Sequence, residues 1–306
     1  MTARVVFKKA SRWYGPVMAL NDVSFELGPG VYGLLGPNGA GKSSLLKLAS
    51  GQLRPSQGSV ELLGRPAFGS PDVFHSVGLC ADTDALFEDF TGLQFVSALL
   101  SLNGFEKAQA DKLATAAIET VDLKEAMHRK VGGYSKGMRQ RIKLAQALAH
   151  QPEVLFLDEP LTGMDPQNRK RISDLMKRLG DEGRTVLVST HILHELEQVT
   201  RRVLLIHNGR VLAEGDLGEI RDLLDRHPRS VRIKAKDTRG LARELVALPD
   251  LVSLSVEDAT GHLLAEIRKP DAFFSRVQEL SAAHGVEELW VTDENLESVF
   301  SYLVSK

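Results

Sequence analysis

The sequence predicts an α/β protein that carries a second, smaller α+β domain at its C-terminal end. Two observations predict the first part. The short, nearly unbroken apolar segments VLFLD, TVLVST and VLLIH have the character of strands, and helix-like segments alternate with them. Such strands are typical of a parallel sheet that helices cover on both faces. The order of segments beyond residue 230 predicts the second part.

Composition is that of a globular protein, and 306 residues are enough for two domains. The formal net charge of −2 excludes a global basic field that would attract nucleic acid or anionic lipid. Cys80 is the only cysteine, so no intrachain disulfide can form and a reducing compartment is expected. The sequence shows no secretory signal and no run of about 18 to 20 apolar residues. We therefore expect another polypeptide to supply any membrane crossing.

Residues 1–76 are predicted to form short strands (VVFKKA, VSFEL, VYGLLG and GSVELLG) separated by glycine and proline turns. Within them, the stretch GLLGPNGAGKSS satisfies the pattern G-x-x-x-x-G-K-[ST]. Glycines let the backbone N–H groups and the next helix N-terminus face phosphate, while Lys42 reaches the terminal phosphates and Ser43 holds magnesium. The predicted nucleotide-binding loop consists of Gly36, Pro37, Asn38, Gly39, Ala40, Gly41, Lys42, Ser43 and Ser44.

Residues 77 to about 150 are predicted to be mainly helical, because LQFVSALLSL, LATAAIETV and MRQRIKLAQALA carry apolar residues at helical spacing. Ser135 and Gly137 stand at the N-terminus of the last of these helices. A small hydroxyl and a glycine there favour an anion site, although an ordinary N-cap explains the same residues. Since the chain already has one phosphate loop, a second anion site suggests a role in trans.

The segment VLFLDEP, residues 154–160, ends a buried apolar strand in two adjacent acids. Ligands bind at the carboxyl edge of open α/β sheets, so the strand delivers both acids to that edge. There Asp158 would hold magnesium, and Glu159 would polarise the water that attacks the γ-phosphate. A solvated turn is the alternative for this segment alone. Together with the glycine loop it predicts a hydrolytic site.

The C-terminal part is predicted to begin with a connecting helix in the segment 216–230, which ends near Pro228. The following segments, VRIKAK, LARELVAL, LVSLSVED, HLLAEIRK, FFSRVQELSAAHG and ELWVT, have the order strand, helix, strand, strand, helix, strand. That order predicts a small ferredoxin-like domain. A last helix is expected over residues 294–304.

Taken together, the motifs resemble the nucleotide-binding subunit of an ATP-binding cassette (ABC) transporter over residues 4–217. GPNGAGKS resembles the family's Walker A loop, YSKGM its signature and LFLDE its Walker B strand. TGMD, ending in Asp165, matches the loop that crosses the dimer, and STH ends in His191, the switch histidine. Tyr14 in RWYG stands where an aromatic ring stacks on adenine.

The resemblance implies a P-loop NTPase (RecA-like) core with a helical subdomain and a small C-terminal α+β (ferredoxin-like) domain. The implied limits are an ATPase domain over 1–217, its helical subdomain over about 77–150 and an accessory domain over 218–306. It also implies ATP and Mg²⁺ as cofactors, separate membrane-spanning permease subunits and a second copy of the chain as partners. No nucleic acid partner is expected. The implied location is peripheral, at the cytoplasmic face of the cell membrane.

The resemblance further implies that two cassettes close head to tail over two ATP molecules. Each nucleotide would lie between the phosphate loop of one subunit and the signature of the other. Glu159 and His191 would be catalytic, and Asp165 would link the two sites. The trans contacts would be Ser135, Lys136, Gly137 and Met138. The magnesium ligands would be Ser43, Asp82 and Asp158.

Two departures from the family pattern affect these expectations. Asp82 stands where the family usually has glutamine, and it is shorter and charged. Lys136 and Met138 replace the commoner glycine and glutamine of the signature, as in the branch of bacterial exporters whose membrane subunits are separate chains. We therefore expect an exporter, with an apolar groove for a helix of the membrane subunit around Asp82–Leu102. The groove residues would be Phe87, Phe90, Leu93, Val96 and Leu100, unless most of them are core.

Two other functions compete with the exporter. A soluble ABC ATPase acting on nucleic acid or ribosomes is the alternative, but paired cassettes, coiled-coil insertions and strongly basic surfaces are not visible in the sequence. A nucleotide-gated binding module with little hydrolysis is disfavoured by Glu159, which has the position of a catalytic base.

Overall fold

The structure is a computed structural model that describes residues 3–218, 229–257, 261–268 and 270–291. It divides into two compact units, Met1–Leu217 and Gly218–Lys306. Each unit has its own hydrophobic core. Among the described residues, no helix is long and apolar enough to cross a membrane.

An antiparallel sheet opens the first unit. Its strands are β1 (Val5–Tyr14), β2 (Val17–Leu27), β4 (Gln57–Leu62) and β5 (Arg65–Pro66), in the order β2-β1-β4-β5. Residues on one face of β1 and β2 alternate inward, and the rings of Phe7 and Phe25 stack with their centroids 4.5 Å apart. The turn between β1 and β2 brings the start of β2 to the nucleotide loop.

A second, mostly parallel sheet is the centre of the first unit. Its strands are β3 (Gly30–Leu35), β6 (Val77–Cys80), β7 (Val154–Asp158), β8 (Thr185–Thr190), β9 (Arg202–His207) and β10 (Arg210–Asp216). They lie in the order β10-β9-β3-β8-β7-β6, and only β10 is antiparallel to its neighbour within this described sheet. Every residue of β7 and β8 is buried, as expected for strands covered on both faces. The ends of β3, β7 and β8 therefore place three sequence motifs side by side.

The α-helices of the first unit pack on this sheet or on one another. They are α1 (Lys42–Ala49), α2 (Gly92–Leu102), α3 (Lys107–Thr120), α4 (Lys136–Leu148), α5 (Pro166–Asp181) and α6 (Leu193–Glu197). Thr91 and Gln94 form a capping box that starts α2. The helical subdomain was predicted to begin at about residue 77, but Val77–Cys80 is strand β6 and pairs with β7 in the parallel sheet. The α-helices of this subdomain begin only at Gly92.

A glycine allows α4 to lie directly on β6. A Cβ atom at Gly78 would be 2.1 Å from the carbonyl oxygen of Ala147, which is far inside contact distance. Only hydrogen at this position permits the approach. The helix that carries the signature residues is thus packed against the strand that leads to Asp82.

The second unit consists of β11 (Arg229–Ala235), α7 (Thr238–Leu245), β12 (Leu251–Glu257), β13 (His262–Ile267), α8 (Pro270–His284) and β14 (Val286–Val291). The strands form an antiparallel sheet in the order β12-β13-β11-β14. This is the predicted order of elements with ferredoxin-like pairing. Of the connecting helix predicted in the segment 216–230, residues 219–228 lie outside the described residues, while Asp216 ends β10 and Arg229 begins β11. The helix predicted over 294–304 lies entirely outside the described residues.

Candidate nucleotide-binding site

A cavity of about 410 Å³ lies at the carboxyl edge of the parallel sheet. It brings together predicted residues from three separate parts of the sequence: Asn38, Gly39, Gly41, Lys42, Ser43, Ser44, Asp82, Asp158 and Glu159. It also includes residues that sequence reasoning did not single out: Val17, Met18, Ala19, Asn208 and Gly209. The cavity joins the glycine loop to the two acids, as the motif spacing predicts.

Close backbone packing shapes the glycine loop. Gly41 has φ 107°, and a Cβ there would be 2.7 Å from the carbonyl oxygen of Ala19. Gly209 has φ 73° and approaches the same carbonyl, while its N–H donates to the Ala40 carbonyl at 2.9 Å. Gly41 is also the N-cap of α1 and offers no capping side chain. The first N–H groups of α1 therefore have no side-chain partner, which suits an anion.

Lys42 is buried within this loop, with 7% of its side chain exposed. Its Nζ donates to the carbonyls of Gly36 at 2.8 Å and Pro37 at 3.2 Å, and lies 3.6 Å from Glu159 Oε1. Burial lowers the pKa of the Lys42 ammonium, and the nearby carboxylates of Glu159 and Asp158 oppose that effect. A buried cation of this kind is suited to pair with phosphate.

The carboxylate of Glu159 contacts side chains from two other segments of the site. Its Oε1 lies 3.0 Å from Nδ1 of His191, in addition to the Lys42 contact. Its Oε2 is buried and has no hydrogen-bond partner among the described residues. Glu159 also has φ 48°, a left-handed backbone that a side-chain-bearing residue adopts at a cost. An acceptor oxygen that is oriented but unpartnered is what a general base for water requires.

Ser189, at the end of β8, holds the two acids in place. Its hydroxyl donates to Oδ1 of Asp158 and accepts from the N–H of Glu159 at 3.2 Å. Nε2 of Gln140 donates to the carbonyl of Glu159 at 3.1 Å. Both backbone groups of Glu159 are thus bonded to side chains, which stabilises its strained conformation.

The donor set at the cavity suits magnesium bound together with phosphates. The hydroxyl and two carboxylates predicted as ligands, Ser43, Asp158 and Asp82, all line the cavity. No group of three or more His, Cys, Asp and Glu side chains in the described part of the chain could hold a metal. Mg²⁺ usually takes one or two carboxylates and completes its shell with water and substrate phosphates.

The signature residues Ser135–Met138 are not part of the lining of this cavity. Ser135 is the N-cap of α4, and its hydroxyl accepts from the N–H of Met138 at 3.3 Å. Gly137 packs against the TGMD loop, because a Cβ there would be 2.9 Å from the carbonyl of Gly163. Lys136 lies against the same glycine. The signature and the TGMD loop therefore form one surface.

Two other predicted residues have local partners. Asp165 is the N-cap of α5 and accepts from the N–H of Asn168 at 2.9 Å, a hydrogen bond that lowers the pKa of this carboxyl. Tyr14 is 42% exposed, and the guanidinium of Arg12 lies 4.9 Å from the centre of its ring. Tyr14 does not belong to the cavity lining within the described residues. It ends β1, beside the turn that leads to Val17 and Met18.

Sequence reasoning missed three polar side chains that support the site, namely Gln140, Lys143 and Ser189. Gln140 and Lys143 are three residues apart within the buried stripe of α4, which was the available signal. Polar residues at such positions need partners, because an unpaired buried polar group is costly. Ser189 was contained in the STH segment but was not singled out.

A phosphate loop at the end of β3, facing two acids at the end of β7, defines the class of P-loop nucleotide hydrolases. A model of the ABC transporter family matches residues 20–162. The chain is 32% identical to the daunorubicin/doxorubicin resistance ATP-binding protein of Streptomyces peucetius, over 94% of this chain and 88% of that protein. It is 36% identical to the Nod factor export ATP-binding protein I of Burkholderia orbicola, over 70% of this chain and 71% of that protein.

A solved ATP-binding subunit of an ABC transporter superposes with a TM-score of 0.65 and 27% identity, covering 72% of this chain and 92% of that structure. The chain belongs to the ABC transporter family. It is an ATP-hydrolysing subunit of the exporter type, which works as a dimer with separate membrane permease subunits. The predicted family, fold and activity are confirmed, and the nucleic-acid alternative is not supported.

Ser189→Ala removes the hydroxyl that joins Asp158 to the backbone of Glu159. We expect ATP turnover to fall by about tenfold, since groups that orient a site's ligands have effects of this size. Ser173→Ala is the matched control, because Ser173 is equally buried but its hydroxyl has no partner within the described residues. Steady-state ATPase assays on both variants test this. Equal effects of the two substitutions would contradict the role of Ser189.

Proposed function

We propose that this subunit hydrolyses ATP with Glu159 as general base, in a site completed by the signature of a second copy. The observation that carries the proposal is the arrangement around Glu159. One carboxylate oxygen is held by Lys42 and His191, and the other is buried without a partner among the described residues. The proposed ATPase domain comprises residues 1–217, and the accessory domain comprises residues 218–306.

The phosphates of ATP occupy the loop in this mechanism. The N–H groups at the start of α1 and the ammonium of Lys42 hold them, and Tyr14 stacks on adenine. The remaining loop residues, Gly36, Pro37, Asn38, Gly39, Ala40, Gly41, Ser43 and Ser44, surround the phosphate chain. Ser43, Asp158 and Asp82 would hold Mg²⁺, which would supply neutralisation of the charge on the phosphates.

Glu159 Oε2 accepts a hydrogen bond from the attacking water, and His191 keeps the carboxylate oriented. As ATP enters, its phosphates compete with Glu159 for the Lys42 ammonium. This leaves the carboxylate free to take the proton of the water. His191 is 43% exposed, and in this proposal its ring contacts the γ-phosphate.

Glu159→Gln keeps the size of the side chain but removes its ability to accept the proton. We expect ATP to bind normally and turnover to fall by about 100-fold or more. With magnesium and ATP the variant should accumulate as a closed dimer, visible by light scattering. Glu153→Gln, near the other end of β7 and surface-exposed, is the control and should keep its turnover. Turnover near the wild-type rate in Glu159→Gln would remove Glu159 from this role.

The signature serves the ATP of the partner subunit in this proposal. Ser135, Lys136, Gly137 and Met138 lie on α4 and its N-cap and are not part of the chain's own cavity lining. Lys136 and Gly137 contact Gly163 of the TGMD loop. The helix N-terminus offers N–H groups to the γ-phosphate across the dimer. Asp165, next to this surface, links the two sites.

Complementation between two inactive variants tests the composite site. Lys42→Ala removes the phosphate contact of its own subunit, and Ser135→Ala removes the contact that it supplies in trans. Each variant alone has no intact site. A mixed dimer has one, so mixing the purified variants should restore ATPase activity that neither has alone. Mixed dimers without restored activity would contradict the composite site.

We propose that the permease subunits dock on α2, which places the chain peripherally at the cytoplasmic face of the membrane. A groove of about 570 Å³ runs between α2 and α3 and includes Phe90 and Leu93. Phe87 and Phe90 are 54% and 39% exposed, which supports a docking role. Val96 and Leu100 were expected in this groove, but both are fully buried and belong to the core.

Co-purification from native membranes tests this partner. Glu159→Gln with magnesium and ATP, added to detergent-solubilised membranes, should retain a polytopic membrane protein in stoichiometric amount. Phe87→Ser should weaken this retention while leaving ATPase activity intact, because its side chain is exposed outside the cavity. Recovery of ribosomes, DNA or soluble proteins alone would contradict the permease partner.

A further inference from the structure

Helix α4 buries two polar side chains that the proposed reaction does not use. Gln140 and Lys143 are each only 6% exposed, although one is an amide and the other a cation. A buried ammonium is costly unless charged or polar partners surround it. Their partners therefore indicate what the two side chains do.

The partners of Lys143 lie in the loop that carries Asp82. Its Nζ donates to the carbonyl of Asp82 at 2.9 Å and lies 3.1 Å from Oδ1 of Asp84. One cation thus fixes both the backbone at Asp82 and the carboxylate of Asp84, two residues further along the chain. Since Asp82 is shorter than the usual glutamine, the position of its backbone decides whether its carboxylate reaches the cavity.

Gln140 makes the equivalent contact one helical turn earlier. Its amide donates to the carbonyl of Glu159 at 3.1 Å and lies 4.0 Å from the sulfur of Cys80. Helix α4 is therefore attached to both acidic segments of its own site. At its N-terminus the same helix carries Ser135, which serves the opposite site.

We infer that Lys143 is a positioning residue that fastens the Asp82 loop to α4 and thereby couples the two ATP sites of the dimer. The inference rests on the proposed composite site. When Ser135 engages the partner's ATP, α4 is held in place, and Lys143 passes this constraint to Asp82 of its own site. Gln140 does the same for Glu159.

Lys143→Met tests the coupling, because it keeps the length of the side chain without its charge. We expect turnover to fall by about tenfold and the half-saturating Mg²⁺ concentration to rise. ATP binding measured without Mg²⁺ should stay unchanged. Lys124→Met, which removes an exposed ion-paired lysine from the same subdomain, should leave both quantities unchanged.

The mixed dimers of Lys42→Ala and Ser135→Ala locate the effect. Lys143→Met can be added to the subunit that supplies Lys42, and so Asp82, or to the subunit that supplies Ser135. Coupling predicts a loss of restored activity in both placements, because coupling is reciprocal: an α4 that is not fastened to the Asp82 loop also presents its Ser135 less well to the partner's ATP. A loss only beside Lys42 would show local positioning and overturn the coupling, and a loss in neither would overturn the inference entirely.

Cys80 provides a readout that does not depend on ATP or magnesium. It is the only cysteine, it is buried, and its sulfur lies 4.0 Å from Nε2 of Gln140 on α4. Faster labelling by a thiol reagent in Lys143→Met would therefore report loosening of α4, and labelling as slow as in Lys124→Met would contradict the anchoring role.

Asp84→Asn weakens the same link from the surface side and does not depend on tolerance of a buried substitution. It should reduce turnover in the same direction, less strongly, and add nothing to Lys143→Met. Additive effects would contradict the pairing. If Glu159→Gln loses activity and the parent mixture complements, but the Lys143 and Asp84 variants behave like Lys124→Met, the coupling fails while the proposed function stands.

Discussion

The site depends on how the buried ammonium of Lys42 is compensated. Two carbonyls of the glycine loop and the carboxylate of Glu159 surround it, and Glu159 also contacts His191. The glycine loop, the segment of Glu159 and the segment of His191 are distant in sequence, and these contacts bring them together around Lys42 and Glu159. A buried ion whose partner is lost is strongly destabilising. In the proposed mechanism phosphate replaces Glu159 as the partner of Lys42, so that ATP binding also frees the carboxylate of Glu159 to act as general base.

Backbone geometry supports this charge arrangement. Gly41 and Gly209 both press on the carbonyl of Ala19, an approach that a Cβ atom would prevent. Glu159 adopts a left-handed conformation, and Ser189 and Gln140 hold its backbone there. Such strain persists only where neighbouring groups over-determine the position. The fold thus orients the carboxylate before any substrate arrives.

Helix α4 connects the sites that the family resemblance describes separately. Its N-terminus presents Ser135 outward, its middle carries Gln140 and Lys143 to the acidic segments, and its end lies on β6 through Gly78. Asp82 stands where the family usually has glutamine, and its backbone carbonyl accepts the hydrogen bond from Lys143 of α4. Asp82 and the buried Lys143 are thus in direct contact, a relation that the sequence position of neither residue indicates.

The sequence by itself determined the parallel sheet, the glycine loop and the acidic pair, because these signals are local: unbroken apolar strands, glycine spacing and the residues that end a strand. It also predicted the order of elements in the second unit. It did not show that Lys143 donates a hydrogen bond to the backbone of Asp82, 61 residues away. Nor did it show that Val96 and Leu100 are core while Phe90 is exposed. It also did not show that Tyr14 lies outside the cavity lining among the described residues. Only the tertiary structure decided these points, because burial and hydrogen-bond partners depend on which distant segments pack together.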